Sequence, residues 1–160
     1  MPDGFSDLIQ EIFAKLEFKN WMLATAESCT GGLISSAITN ESGSSAYFDR
    51  GFVTYSNEAK MEMLGVSHET LSQFGAVSEQ TAIEMVQGAL KNSNADIAVS
   101  VTGIAGPTGG TPEKPVGLVY IGCATADNAS AKAYNFNDMS REEVRENTVS
   151  EALKILLKTS

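Results

Sequence analysis

Ser28 and Cys29 stand side by side in Thr25-Ala26-Glu27-Ser28-Cys29-Thr30-Gly31-Gly32. A hydroxyl and a thiol both become nucleophiles once a base removes the proton. The apolar run Trp21-Met22-Leu23-Ala24 leads into the octad, and Leu33, Ile34, Ala37 and Ile38 leave it at helical spacing. The octad therefore reads as a strand-to-helix turn, where free N–H groups and the positive end of the helix dipole stabilise negative charge. On this reading the N–H groups of Cys29, Thr30 and Gly31 are candidate oxyanion donors. The pattern is not Gly-x-Ser-x-Gly, and the same residues also fit a plain helix N-cap. A Cys29 thiolate would gain from the helix terminus as well. Neighbouring residues leaving a strand point to opposite sides, so only one of the two is expected to face a site.

A base is needed beside the nucleophile. His68 is the only histidine and falls in Ser67-His68-Glu69-Thr70, which reads as the first turn of an exposed helix. A Ser-His-Asp arrangement is therefore not expected, and the base is sought among lysines and carboxylates. Lys60 follows Phe52-Val53-Thr54-Tyr55, a strand by its β-branched and aromatic content. If that strand lies beside the one ending at Glu27, Tyr55 and Lys60 reach the same sheet edge as Ser28. Desolvation there would lower the lysine's pKa and let it take the Ser28 proton. The alternative is an exposed helical lysine beside Glu58.

A third candidate is the loop from Thr102 and Gly103 to Pro112, with four glycines and two prolines. Its backbone N–H groups suit a phosphate, although it is neither a P-loop nor Gly-x-Gly-x-x-Gly; a flexible connection is the alternative. Cys29, Cys123 and His68 offer no metal-ligand spacing, so neither metal nor other cofactor is expected.

The elements that must position these residues follow from periodicity. Phe5, Leu8, Ile9, Ile12, Phe13 and Leu16 mark an amphipathic helix over 3–18. Strands are expected at 21–26, 52–55, 97–101, 116–125 and about 131–136, with 40–47 as a loop and a hairpin linking the last two strands. Helices are expected from about 30 to 39, from Asn57 as cap to Leu64, over 68–73, from Ser78, and after the capping box Ser140-Arg141-Glu142-Glu143. Alternating strands and helices imply an α/β fold: a three-layer α/β/α sandwich with a mixed, mostly parallel sheet, in one domain over 1–160. Ser28, Tyr55 and Thr102 would then meet at the carboxyl ends of parallel strands, where such sheets bind ligands.

The net charge of −9 and pI of about 4.5 argue against nucleic acid and anionic membranes as partners. No apolar run approaches the roughly 20 residues of a membrane span. The start, Met1-Pro2-Asp3-Gly4, lacks a secretory pattern. A cytoplasmic protein with reduced thiols is expected.

Long stretches also match a known family. They are the octad, Arg50-Gly51-Phe52-Val53-Thr54-Tyr55-Ser56-Asn57-Glu58-Ala59-Lys60, Gly75-Ala76-Val77-Ser78-Glu79, and Thr102-Gly103-Ile104-Ala105-Gly106-Pro107 with Lys114-Pro115-Val116-Gly117. Over nearly its whole length the sequence resembles the CinA C-terminal domain family, whose stand-alone form is a nicotinamide-nucleotide amidohydrolase. The resemblance implies deamidation of nicotinamide mononucleotide to nicotinate mononucleotide by a Ser/Lys mechanism, in pyridine-nucleotide recycling. It implies a homodimer without metal, with Ser28 as nucleophile, Lys60 as base, Tyr55 as a catalytic residue that holds the lysine or relays the proton, and Thr102 in the site. The family's late Gly-Asp-Arg segment reads Asn-Asp-Met-Ser-Arg here (137–141), making Arg141 the equivalent arginine for phosphate, with Arg145 as its rival. A nucleotide-binding module that lost the reaction, and a Cys29 hydrolase, are the competing expectations.

Overall fold

The computed structural model describes residues 3–160. Five strands, β1 (Leu23–Glu27), β2 (Phe48–Val53), β3 (Ile97–Gly103), β4 (Leu118–Thr125) and β5 (Ala129–Asn135), form one sheet in the order β2-β1-β3-β4-β5. β1 is parallel to both β2 and β3, whereas β4 is antiparallel to β3 and β5. Only β4 runs against the other strands, because a short turn returns it to β5. The sheet is thus mixed, with most strand directions shared.

Helices cover both faces. On one side lie α1 (Ser6–Lys19), α2 (Leu33–Thr39) and α6 (Arg141–Thr159). They bury Ile9, Ile12, Leu16, Ile34, Val149, Leu153 and Leu156 against Ile97, Val99 and Val101. On the other side are α3 (Asn57–Leu64), α4 (His68–Phe74) and α5 (Glu79–Lys91). Their Leu64, Leu71, Met85, Val86 and Ala89 meet Ala24, Ala26, Ala98 and Ala124. β1 and β3 are buried almost throughout, as central strands covered on both faces should be. Small residues on the α5 side of these strands let that helix approach closely; larger aliphatic residues fill the other side.

Two local expectations shift. β2 occupies Phe48–Val53, earlier than 52–55, because its register with β1 runs from Leu23↔Phe48 to Glu27↔Val53. Tyr55 therefore lies beyond the strand, in the segment that turns into α3. Ser56, rather than Asn57, caps α3, its Oγ accepting the Ala59 N–H at 3.0 Å. Gly51 permits the packing of α2: a Cβ there would lie against Ser35 Oγ and 2.7 Å from Thr25 Oγ1. The capping box and hairpin at the other end form as the sequence indicates, with Ser140 and Glu143 bonded reciprocally.

Candidate active site

The turn carrying Ser28 is fixed from both sides. The Ser28 N–H donates to Val101 O at 3.0 Å, which extends the β1–β3 ladder by one residue. The chain then folds back, and the Gly31 N–H donates to Ser28 O at 3.1 Å. Gly31 (φ 59°) and Gly32 (φ 106°) take left-handed conformations that a side chain would strain. This is why two glycines follow Thr30.

Glu27, which the sequence reading left without a role, organises this turn. It is fully buried, and its carboxylate accepts four hydrogen bonds. Thr30 Oγ1 (2.6 Å) and Ile34 N (2.8 Å) donate to one oxygen; Ser35 N (3.0 Å) and Ser35 Oγ (2.8 Å) donate to the other. The orphan N–H groups of α2 are therefore taken by Glu27, which also answers the helix dipole. That corrects the expectation that the helix terminus itself serves a substrate charge. A Glu directly before a Ser/Thr/Gly turn into a helix was the available signal. Gly31 is corrected likewise: its N–H is engaged within the turn. Among the described residues no oxygen accepts the N–H of Cys29 or Thr30.

Lys60 is 1% exposed, yet it sits on α3 with its amine turned toward β1. Its Nζ lies 2.9 Å from Ser28 Oγ and 3.1 Å from both Thr54 O and Tyr55 O. Among the described residues no carboxylate lies within ion-pair distance of it. Burial lowers its pKa from the ordinary 10.5. Nζ donates to all three oxygens, and the Ser28 hydroxyl turns toward Tyr55 O at 3.5 Å; once neutral, the amine can keep two N–H groups on the carbonyls and turn its lone pair to the Ser28 hydroxyl.

The remaining candidates divide. Cys29 is buried, and desolvation pushes its thiol up to about 12, so the expectation of a thiolate nucleophile fails. Tyr55 contributes its main-chain carbonyl to Lys60. Its side chain is 62% exposed, and its phenol oxygen accepts from Arg141 Nη2 at 3.2 Å. A proton relay through the phenol is thereby corrected. Thr102 Oγ1 donates to Ala76 O at 2.8 Å and ties β3 to the segment before α5. Gly103 runs close to β4, where a Cβ would stand 2.6 Å from Val119 Cγ2. Arg141 opens α6 and reaches over the site, with Nη1 2.7 Å from Gly106 O. Arg145 bonds instead to the carbonyls of Cys29 (3.0 Å) and Thr30 (3.1 Å). His68 is exposed on α4 and bonds only Ser72 among the described residues.

Ser28, Cys29, Tyr55, Lys60, Thr102, Gly103 and Arg141 all line one cleft of about 180 Å³. A larger groove of about 470 Å³ lies between β5 and α6, beside Cys123, Lys132 and Lys158, and contains no nucleophile–base pair. Burial raises the Cys123 thiol there to about 11. Among the described residues no group of three His, Cys, Asp or Glu could hold a metal ion. No helix among them is long and apolar enough to cross a membrane.

Fold and site together define a class: a three-layer α/β domain with a buried serine–lysine pair at the carboxyl ends of parallel strands. The chain belongs to the CinA C-terminal domain family, whose profile matches residues 5–160. It is 58% identical over 139 residues to the nicotinamide-nucleotide amidohydrolase PncC of Enterobacter agglomerans, covering 87% of this chain and 85% of that protein. A CinA-like protein of Endomicrobium trichonymphae is 51% identical over 155 residues, 96% of this chain and 36% of that relative. Several curated relatives are thus much longer, and the chain spans only about a third of them, between 34 and 37%. Among solved structures, the competence/damage inducible protein CihA of Agrobacterium tumefaciens superposes with a TM-score of 0.95 at 50% identity. That match covers 99% of this chain and 96% of the other.

Proposed function

We propose that this chain is a nicotinamide-nucleotide amidohydrolase, releasing ammonia from nicotinamide mononucleotide to leave nicotinate mononucleotide. The observation that carries the reading is the 2.9 Å contact between Ser28 Oγ and a lysine amine buried without a carboxylate partner. The PncC relative supports the substrate.

In this mechanism neutral Lys60 takes the Ser28 proton as Oγ attacks the carboxamide carbon. The resulting ammonium keeps its bonds to Thr54 O and Tyr55 O. The oxyanion develops near the turn, where the Cys29 N–H borders the cleft with no oxygen acceptor among the described residues. Lys60 then protonates the departing nitrogen, the C–N bond breaks, and ammonia leaves an ester on Ser28. Water, deprotonated by Lys60, attacks that ester and frees the carboxylate. The roughly 180 Å³ cleft is small for a whole nucleotide. The ring would fill it while the phosphate lies across the rim. Arg141 stands there with two of its five guanidinium donors engaged. Thr102 and Gly103 line the cleft as well.

The same reading expects a homodimeric, cytoplasmic protein forming one domain over 1–160, working in pyridine-nucleotide recycling. Ammonia release from the purified protein, with EDTA present and Ser28→Ala alongside, tests it. Turnover in wild type alone supports the reading. Turnover retained by Ser28→Ala overturns the nucleophile. Saturable nucleotide binding without turnover would make the chain a binding module.

A further inference from the structure

Arg145 lies one helical turn beyond Arg141 but faces the Ser28 turn rather than the cleft. Its Nε donates to Cys29 O at 3.0 Å and its Nη2 to Thr30 O at 3.1 Å. Gly31 lies beside this seat, where a Cβ would come 3.4 Å from Nη2. The bonding then runs back along the chain. The Thr30 carbonyl shares a peptide unit with the Gly31 N–H, which donates to Ser28 O at 3.1 Å. The Ser28 carbonyl shares a peptide unit with the Cys29 N–H. No oxygen among the described residues accepts that N–H, and Cys29 lines the cleft.

Peptide units linked this way polarise one another. A charged donor at the head makes a bond roughly twice as strong as a neutral one. We propose that Arg145 is a positioning residue for an oxyanion hole, orienting and polarising the Cys29 N–H through the Thr30–Gly31 and Ser28–Cys29 peptide units. This rests on the amidohydrolase reading. It assigns Arg145 a task distinct from phosphate binding, since its guanidinium faces the Ser28 turn and, unlike that of Arg141, does not line the cleft.

Losing an oxyanion donor outright costs about 10²–10³ in rate. Arg145 acts at one remove, so Arg145→Met is expected to lower kcat by about 10- to 100-fold with KM within about twofold. The second readout is the rate at which a small alkyl fluorophosphonate phosphonylates Ser28. Its phosphoryl oxygen needs the same hole but not the nucleotide. That rate is expected to fall with kcat in Arg145→Met and less in Arg145→Lys, whose single ammonium cannot hold both carbonyls equally. Thermal midpoints are measured for each variant; if Arg145→Met does not fold, Arg145→Lys carries the comparison. Phosphonylation at the wild-type rate in a folded variant overturns the proposal. So does a raised KM with unchanged kcat, which would make Arg145 a nucleotide ligand. If wild type ignores nicotinamide mononucleotide while the probe contrast persists, the substrate is wrong and the oxyanion hole stands.

Discussion

Replacing Glu27 by Gln tests whether a buried carboxylate organises the Ser28 turn. Gln keeps the shape and one acceptor oxygen, which can still receive Thr30 Oγ1 and Ile34 N. The amide nitrogen then meets the Ser35 N–H, donor against donor, where the second carboxylate oxygen had accepted it. Ser35 Oγ can rotate to Thr25 Oγ1, already 2.7 Å away, but the Ser35 N–H has no such escape. An unsatisfied buried N–H costs about 1–3 kcal/mol, and bonds to a charged group lose about 1 kcal/mol each on becoming neutral. Loss of the negative charge at the α2 N-terminus adds about 1 kcal/mol. Relief of carboxylate desolvation offsets part of this, leaving a net loss of about 3 kcal/mol. For a domain of this size that lowers Tm by roughly 10 °C. Urea unfolding of Glu27→Gln beside Glu58→Gln is the assay. Glu58 is exposed on α3, so its variant should stay within about 0.5 kcal/mol of wild type. A Glu27→Gln loss below about 1 kcal/mol at unchanged m-value would refute the reasoning, because the four bonds would then be dispensable.

Four further outcomes follow from the same geometry. Lys60 must be neutral to act, so kcat/KM should rise with pH and level off at an inflection below the ordinary lysine value of 10.5, because burial lowers it. Since the folded pKa lies below the unfolded one, the unfolded chain binds more protons in that window. Wild type should therefore gain stability over Lys60→Met as pH rises from the folded pKa to 10.5, a trend read by denaturation at successive pH values. Iodoacetamide at pH 8 should leave native Cys29 and Cys123 unmodified by mass spectrometry, because burial holds their thiols at about 12 and about 11; rapid alkylation would show an opened turn. Arg141→Ala should raise KM for the nucleotide by about tenfold while leaving KM for the dephosphorylated nucleoside nearly unchanged, the loss of one charge-assisted contact being worth about 1.5 kcal/mol or more. Equal effects on both would remove the phosphate assignment.

The layered α/β fold was readable because β3 begins as a near-continuous apolar run, broken only by Ser100 over residues 97–101, and helices keep apolar spacing with Ser caps at 67, 78 and 140. The bounds of β2 were not, since Phe48–Gly51 carries the polar Asp49 and Arg50 on an edge strand, and only pairing with β1 defines it. Ser28 and Lys60 could be proposed from residue type and position. The carbonyl cradle of Lys60 could not, because main-chain acceptors leave no trace in side-chain identity. Glu27 was overlooked for a related reason: its meaning comes from N–H groups seven and eight residues downstream, brought back by a turn whose shape only its glycines hint at. Arg141 and Arg145, one turn apart on the same helix, separate only once α6 is docked.

That cradle has a consequence for how this segment tolerates change. Because Thr54 and Tyr55 hold the base through peptide oxygens, substitutions at either position leave both acceptors in place. A change in length is different. Each residue added or removed between Tyr55 and Lys60 turns α3 by about 100° relative to β2. The amine would then swing off both carbonyls and away from Ser28. In libraries of variants, residues 54–60 should accept only small side chains at the buried 54 and varied ones at the exposed 55, yet admit almost no insertions or deletions among active clones.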